Sequence, residues 1–208
     1  FGPFERTIWQ GRRWSAADAY LKPALKRPNL QLIRGLACRV VFEGRRAVGV
    51  EIERRGRREV ISAGREVIIA ASAFNAPKLL MLSGIGPADH LRQMGITVRH
   101  DLQGVGQNLT DHGSIVVQCR STKAFPIHTV DRPLNKAMAG MQWVLSRTGI
   151  AASNIWEAGG LIRGNDETDY PNLQYHFGPV GFEYEGEKIK LRQAFALHID
   201  QLRPRSRG

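Results

Sequence analysis

The run EVIIAA at Glu66–Ala71, followed by SAFN at Ser72–Asn75 and APKLLMLSG at Ala76–Gly84, decides how this chain is read. A near-continuous apolar run of this length predicts a strand buried on both faces, the signature of a parallel α/β sheet. The small residues Ser72–Asn75 predict a tight turn. Pro77 suits the first turn of a helix, and Gly84 suits its end. Strand, small-residue turn and helix together form the geometry by which α/β sheets let a dinucleotide approach the backbone closely.

Working outward, the preceding residues predict an antiparallel meander. Leu30–Ile33 and Leu36–Glu43 read as strands, Gly44-Arg45-Arg46 as a turn, and Ala47–Arg54 as an alternating strand. Arg55–Arg58 turns the chain again into Glu59–Ser62. Upstream, Ser15–Leu25 reads as a helix with Ser15 at its N-cap. Downstream, Ala88–Met94 reads as a short helix and Thr97–His100 as a short strand.

From Gly113 the pattern changes, and a boundary near Asp111–Gly113 follows. Ser114–Arg120 reads as a strand, Pro133–Ser146 as an amphipathic helix, and Asn154–Arg163, Asn172–Phe177 and Ala194–Ile199 as strands. Phe182–Lys190 reads as a polar loop.

Composition bounds the function classes. The 208 residues, 42% hydrophobic, suffice for one or two globular domains. No apolar run approaches the roughly 20 residues of a membrane-spanning helix. The first residues have no signal-peptide pattern, and the missing initiator Met and the basic ending RPRSRG predict an excerpt of a longer protein. Cys38 and Cys119 lie in apolar strand-like contexts and read as buried free thiols of a reducing compartment. A net charge of +11 could serve phosphate contacts. The densest cluster, Arg54–Arg58, falls on a hairpin tip, so a solvated turn is expected rather than a nucleic-acid surface.

Two longer stretches sharpen this reading. The run AGREVIIAASAFNAPKLLMLSGIGP resembles the second signature of the glucose-methanol-choline (GMC) oxidoreductases, and DLQGVGQNLTDH resembles that family's GVGxNLxDH stretch. The resemblance extends to WSAADAYLKPALKRPNL, FEGRRAVGVE, EAGGLIR, PNLQYHF and the final RSRG, and is nearest to the choline-oxidising branch. It implies a mixed α/β fold. Residues 1–112 would be part of an FAD-binding, Rossmann-like domain. Residues 113–208 would begin a substrate domain built on an antiparallel sheet with helices on one side.

The resemblance also implies an activity. FAD accepts a hydride from an alcohol carbon, choline above other primary alcohols, while a protein base takes the hydroxyl proton. The chain has no GxGxxG with a following acidic residue to hold the pyrophosphate. None of its six histidines inherits the base, which is expected downstream of Gly208. The resemblance places Ala37, Ala71, Ser72, Asn108, Asp111 and His112 at the cofactor, with main-chain atoms of Ala37 against the adenine. Ser72 stands where the family usually has Gly, and Ala76 where it has Ser. It places Trp156, Glu157 and Phe195 around a substrate cation, since a quaternary ammonium, which cannot donate hydrogen bonds, is held by a carboxylate and aromatic faces. The bland readings stay beside these: Asn108 and Asp111 as turn caps, Glu157 facing solvent, Phe195 as sheet core. The electron acceptor, a quinone or oxygen, is left open, as are covalent attachment of FAD and homo-oligomerisation. The expected location is cytoplasmic, with peripheral membrane association allowed.

Overall fold

The computed structural model describes residues 1–123, 126–156 and 158–208. Its contacts divide the chain into two units. One comprises Phe1–Leu30 with Asp111–Pro204, the other Gln31–Thr110 with Arg205–Gly208. The break after Thr110 falls where the sequence pattern changes. Residues 1–30, however, join the later segment rather than the earlier one.

The reason lies in two contacts of the opening residues. Gly2–Pro3 pairs antiparallel with Ala158–Ile162. The hairpin of Ile8–Trp9 and Arg12–Arg13 turns on Gln10 and Gly11, both at positive φ as a two-residue turn requires. Gly11 then accepts the Trp143 indole N–H at 2.6 Å from helix Pro133–Ser146. Between these segments, Ser15 and Asp18 exchange hydrogen bonds at the start of a short helical stretch running from Ala17 to Ala24.

The centre of this first unit is a five-stranded antiparallel sheet ordered Gly2–Pro3, Ala158–Ile162, Leu173–Gly178, Ala194–Gln201 and Ser114–Arg120. Ala194 and Ala196 lie in its buried part. Ser114–Arg120 is an edge strand with every residue exposed, so Cys119 is an exposed thiol rather than the buried one expected. Phe182–Lys190 is not a loop. Gly181–Glu185 and Lys188–Arg192 form a hairpin laced by Arg192–Glu183 and Lys190–Glu185 pairs. The alternation of FEYE and KIKLR with Gly186 at φ 63° carried that signal.

The second unit holds the expected meander, Leu36–Glu43, Arg46–Arg54 and Arg57–Ser62, in antiparallel order. Leu30–Ile33 does not join it. Helix Ser72–Leu82 starts four residues earlier than a turn at Ser72–Asn75 would allow, so Pro77 lies inside it. Helix Ala88–Gln93 follows Pro87 and buries Leu91 completely. The Asp101 carboxylate accepts the Ala88 amide at 3.0 Å and closes that helix's first turn. Ile85–Gly86 and His100–Asp101 form a short parallel pair. Glu66–Ala71 is not a strand. It joins no ladder among the described residues, and Ile68 is 79% exposed. An extended apolar run gains strand structure only from neighbours that take up its backbone N–H and C=O groups. No described helix is long and apolar enough to cross a membrane.

Candidate functional site

The second unit brings two of the expected cofactor positions together. Ala37 and Ala71 line one cavity of about 600 Å³, with Leu36, Leu79 and Leu82 as apolar walls. Ala37 belongs to the edge strand of the meander and Ala71 precedes helix Ser72–Leu82. The strand and the helix are tied by Ser83, whose buried hydroxyl accepts the Val40 amide at 2.8 Å and donates to the Leu79 carbonyl at 2.6 Å. Small side chains at both alanines leave room for a flat group between them.

The same cavity is lined by an ion cluster that sequence reading did not single out. Arg39 donates through Nε and Nη2 to Glu51 Oε2, at 3.1 and 2.8 Å, and Arg58 reaches Oε1 at 3.2 Å. The Glu51 side chain is 11% exposed. Hydrogen bonding from Arg39, and more weakly the charge of Arg58, holds its carboxyl below the ordinary range. The same pair holds the Arg39 guanidinium charged. The sequence signal available was the opposite charge of two facing strand residues, Arg39 and Glu51.

Ser72 has φ 75°, a left-handed conformation that favours glycine. Asn108 has φ 61°, which asparagine tolerates better, and lines a second cavity of about 810 Å³ beside Phe74, Met81, His90 and Met94. Ser72 lines neither cavity. Asp111 and His112 fall in the first unit, both exposed, where the Asp111 carboxylate accepts the His112 amide at 2.8 Å. The bond reaches only the next residue, one short of the span of an Asx turn.

On the first unit's sheet, Trp156 and Phe195 are not brought together. Glu157 lies outside the described residues. Trp156 packs edge-on against His198, with ring centroids 4.5 Å apart, and lines a cavity of about 650 Å³ with Phe4, Gln174, His176 and Asp200. Phe195 instead lies 5.8 Å from Phe177. Strand alternation puts residues 196, 198 and 200 on one face and 195, 197 and 199 on the other. Trp156 and Phe195 therefore stand on opposite faces. Ile155, just before Trp156, has φ 71°. His176 faces Asp200 at 3.4 Å. No cluster of His, Cys, Asp and Glu among the described residues is arranged to hold a metal.

Residues 1–114 match the model of the GMC oxidoreductase family. The chain is 50% identical over all 208 residues to an oxygen-dependent choline dehydrogenase of Brucella ovis, and 51% identical to one of Rhizobium etli. It spans 38% of the length of these curated relatives. Among solved structures it superposes on a formate oxidase with a TM-score of 0.83 at 25% identity, covering 95% of this chain and 39% of that one. For pyridoxine 4-oxidase from Mesorbium loti the TM-score is 0.73 at 25% identity, with coverages of 97% and 36%. The mixed helix-and-sheet fold is thus that of known flavoprotein-type oxidases of this group.

Proposed function

The chain belongs to the GMC oxidoreductase family, and on that premise we propose that it forms part of an FAD-dependent enzyme oxidising choline to betaine aldehyde. The observation that carries this reading is the convergence of Ala37 and Ala71, distant in sequence, on one cavity. Its apolar leucine walls and small contact residues suit the adenine half of FAD. The N-terminal end of the 11-residue helix Ser72–Leu82 adds a region of positive dipole beside Ala71. Bound there, FAD supplies a two-electron oxidant that accepts a hydride from the alcohol carbon. The chain's own contribution is binding and orientation, with Asn108, Asp111 and His112 as the further cofactor-side positions that the resemblance implies. The proton-accepting base belongs to the whole protein outside these residues.

Choline is favoured because the relatives of highest identity quoted above carry that name. In this reading Glu157 faces the quaternary ammonium, with one of Trp156 and Phe195, and not both, among its aromatic surroundings. A second reading keeps the family and takes another primary alcohol. The separation of Trp156 from Phe195 favours it, since an aromatic cage needs both on one side. In the whole protein, Glu157→Gln discriminates the two. If choline is the substrate, its affinity falls at least about tenfold, some 1.4 kcal/mol, while neutral alcohols are unaffected. Unchanged choline affinity removes the cation reading.

The reading carries a cytoplasmic enzyme that passes electrons to oxygen or to a membrane quinone, the latter with peripheral association. Nucleic acid has no part in it. Two arginines of the basic hairpin are engaged locally, Arg58 with Glu51 at 3.2 Å and Arg54 with Glu59 at 3.9 Å.

A further inference from the structure

The edge strand Leu36–Glu43 carries an extra residue near its start, and its partner carries one, Val48, farther along. Ala37 opposes Ile52 and Arg39 opposes Glu51, so Cys38 is the extra residue of a β-bulge. The consequence for backbone direction follows from the register. Val40 opposes Val50, and its amide leaves the sheet edge to reach Ser83. Val50 and Ile52 are two apart and direct their backbone groups the same way. Ala37, opposite Ile52, therefore also turns its N–H and C=O outward from the open edge. In an unbulged strand Cys38 would hold that place and Ala37 would face its neighbour strand.

A bulge interrupts the ladder and is held by whatever flanks it. Here the flank is the Arg39–Glu51–Arg58 cluster, in which Arg39, the residue next to Cys38, gives two N–H donors to one carboxylate oxygen. Arg58 reaches the other oxygen from the third strand. Without the carboxylate, two guanidinium groups would face each other across the bulge.

We infer that Glu51 is a positioning residue for adenine recognition: by clamping Arg39 it fixes the bulge that presents the Ala37 N–H and C=O to the cavity shared with Ala71. An adenine edge offers a neighbouring ring-nitrogen acceptor and amino donor, which one outward-facing residue's N–H and C=O match. The inference rests on the FAD reading above, and it adds a residue that does not itself touch the cofactor.

The test compares FAD with FMN, which lacks the adenosine half, on the whole protein stripped of cofactor. Wild type, Glu51→Gln and Arg39→Lys are titrated with each flavin, and apoprotein unfolding is followed in parallel. The expected result is a rise of about tenfold or more in the FAD dissociation constant for both variants, with FMN affinity changed less than about twofold. Unchanged FAD binding in both variants overturns the inference. So does an equal loss for FAD and FMN, which is what general destabilisation produces. If Glu51→Gln fails to fold, Arg39→Lys, which keeps the charge and loses the two-donor geometry, decides alone. A wild-type protein that binds no FAD contradicts the FAD reading itself and is distinct from either outcome.

Discussion

The Ser83 hydroxyl accepts the Val40 amide at 2.8 Å, and both residues are only 5% exposed. One side chain thus fastens the edge strand of the meander to the helix that begins after Ala71, because the same hydroxyl donates to Leu79. The two walls of the proposed adenine cavity are held in register by this link.

Ser83→Ala removes the acceptor of a buried amide. Leaving such a donor unsatisfied costs about 1–3 kcal/mol. The expected outcome in denaturant unfolding is a loss in that range with an unchanged slope, accompanied by weaker FAD binding. A loss below about 0.5 kcal/mol would mean that water or a shifted backbone satisfies Val40.

Ser72→Gly should stabilise the protein. A non-glycine residue at φ 75° carries about 1–2 kcal/mol of strain, and glycine gives back some 0.5–1 kcal/mol through its freer unfolded state. The net expectation is a gain of about 0.5–1 kcal/mol, read in thermal or denaturant unfolding. A loss of stability would show that the Ser72 side chain makes contacts that outweigh its backbone strain.

Gly159→Ala should do severe damage. A Cβ there would meet the Tyr175 carbonyl oxygen at 2.0 Å and the Phe4 ring at 2.5 Å. Backbone cannot give way as a flexible side chain can, so the cost should exceed about 3 kcal/mol. Gly44→Ala, with nothing within 4 Å of its Cβ, should cost only its positive-φ strain of about 1–2 kcal/mol. Comparable losses for the two variants would contradict the packing described here.

The Ser15–Asp18–Lys22 cluster should give an acid-sensitive helix start. Hydrogen bonding from Lys22, then from Ser15, lowers the Asp18 carboxyl to about 2. A group whose folded value is depressed contributes stability above the ordinary carboxylate range and loses it as pH falls toward its folded value. The window is therefore roughly pH 4 down to 2. An NMR titration of Asp18 should show a midpoint near 2, moving up in Lys22→Met. A wild-type midpoint near the ordinary aspartate value of about 3.9 would contradict the cluster.

How much of this could be read from residues depended on the range of the interactions. Leu36–Glu43, Ser114–Arg120 and Pro133–Ser146 appear at the bounds their patterns predict, because alternation and helical periodicity are local. Glu66–Ala71 departs from the strand its pattern predicts because apolarity without period promises burial but supplies no pairing partner. The Gly181–Arg192 hairpin was hidden by its charge, although its glutamates and cationic residues pair across the strands. At the site, Ala37 and Ala71 came from family resemblance and their shared cavity bears on it. The bulge at Cys38 and the clamp by Glu51 depend on register, which no single strand's sequence reveals. The grouping of Trp156 with Phe195 also rests on the resemblance, and strand register puts Phe195 on the face opposite His198, against which Trp156 packs.

The FAD-dependent oxidation of choline proposed for the whole protein is tested most directly by an anaerobic half-reaction. The whole protein, as isolated with its flavin, is mixed with excess choline in the absence of oxygen. Full bleaching of the visible flavin absorbance is expected, with one betaine aldehyde formed per flavin reduced. Flavin that stays oxidised with choline but bleaches with a neutral primary alcohol would contradict the choline assignment. A purified whole protein with no flavin would contradict the account at its base.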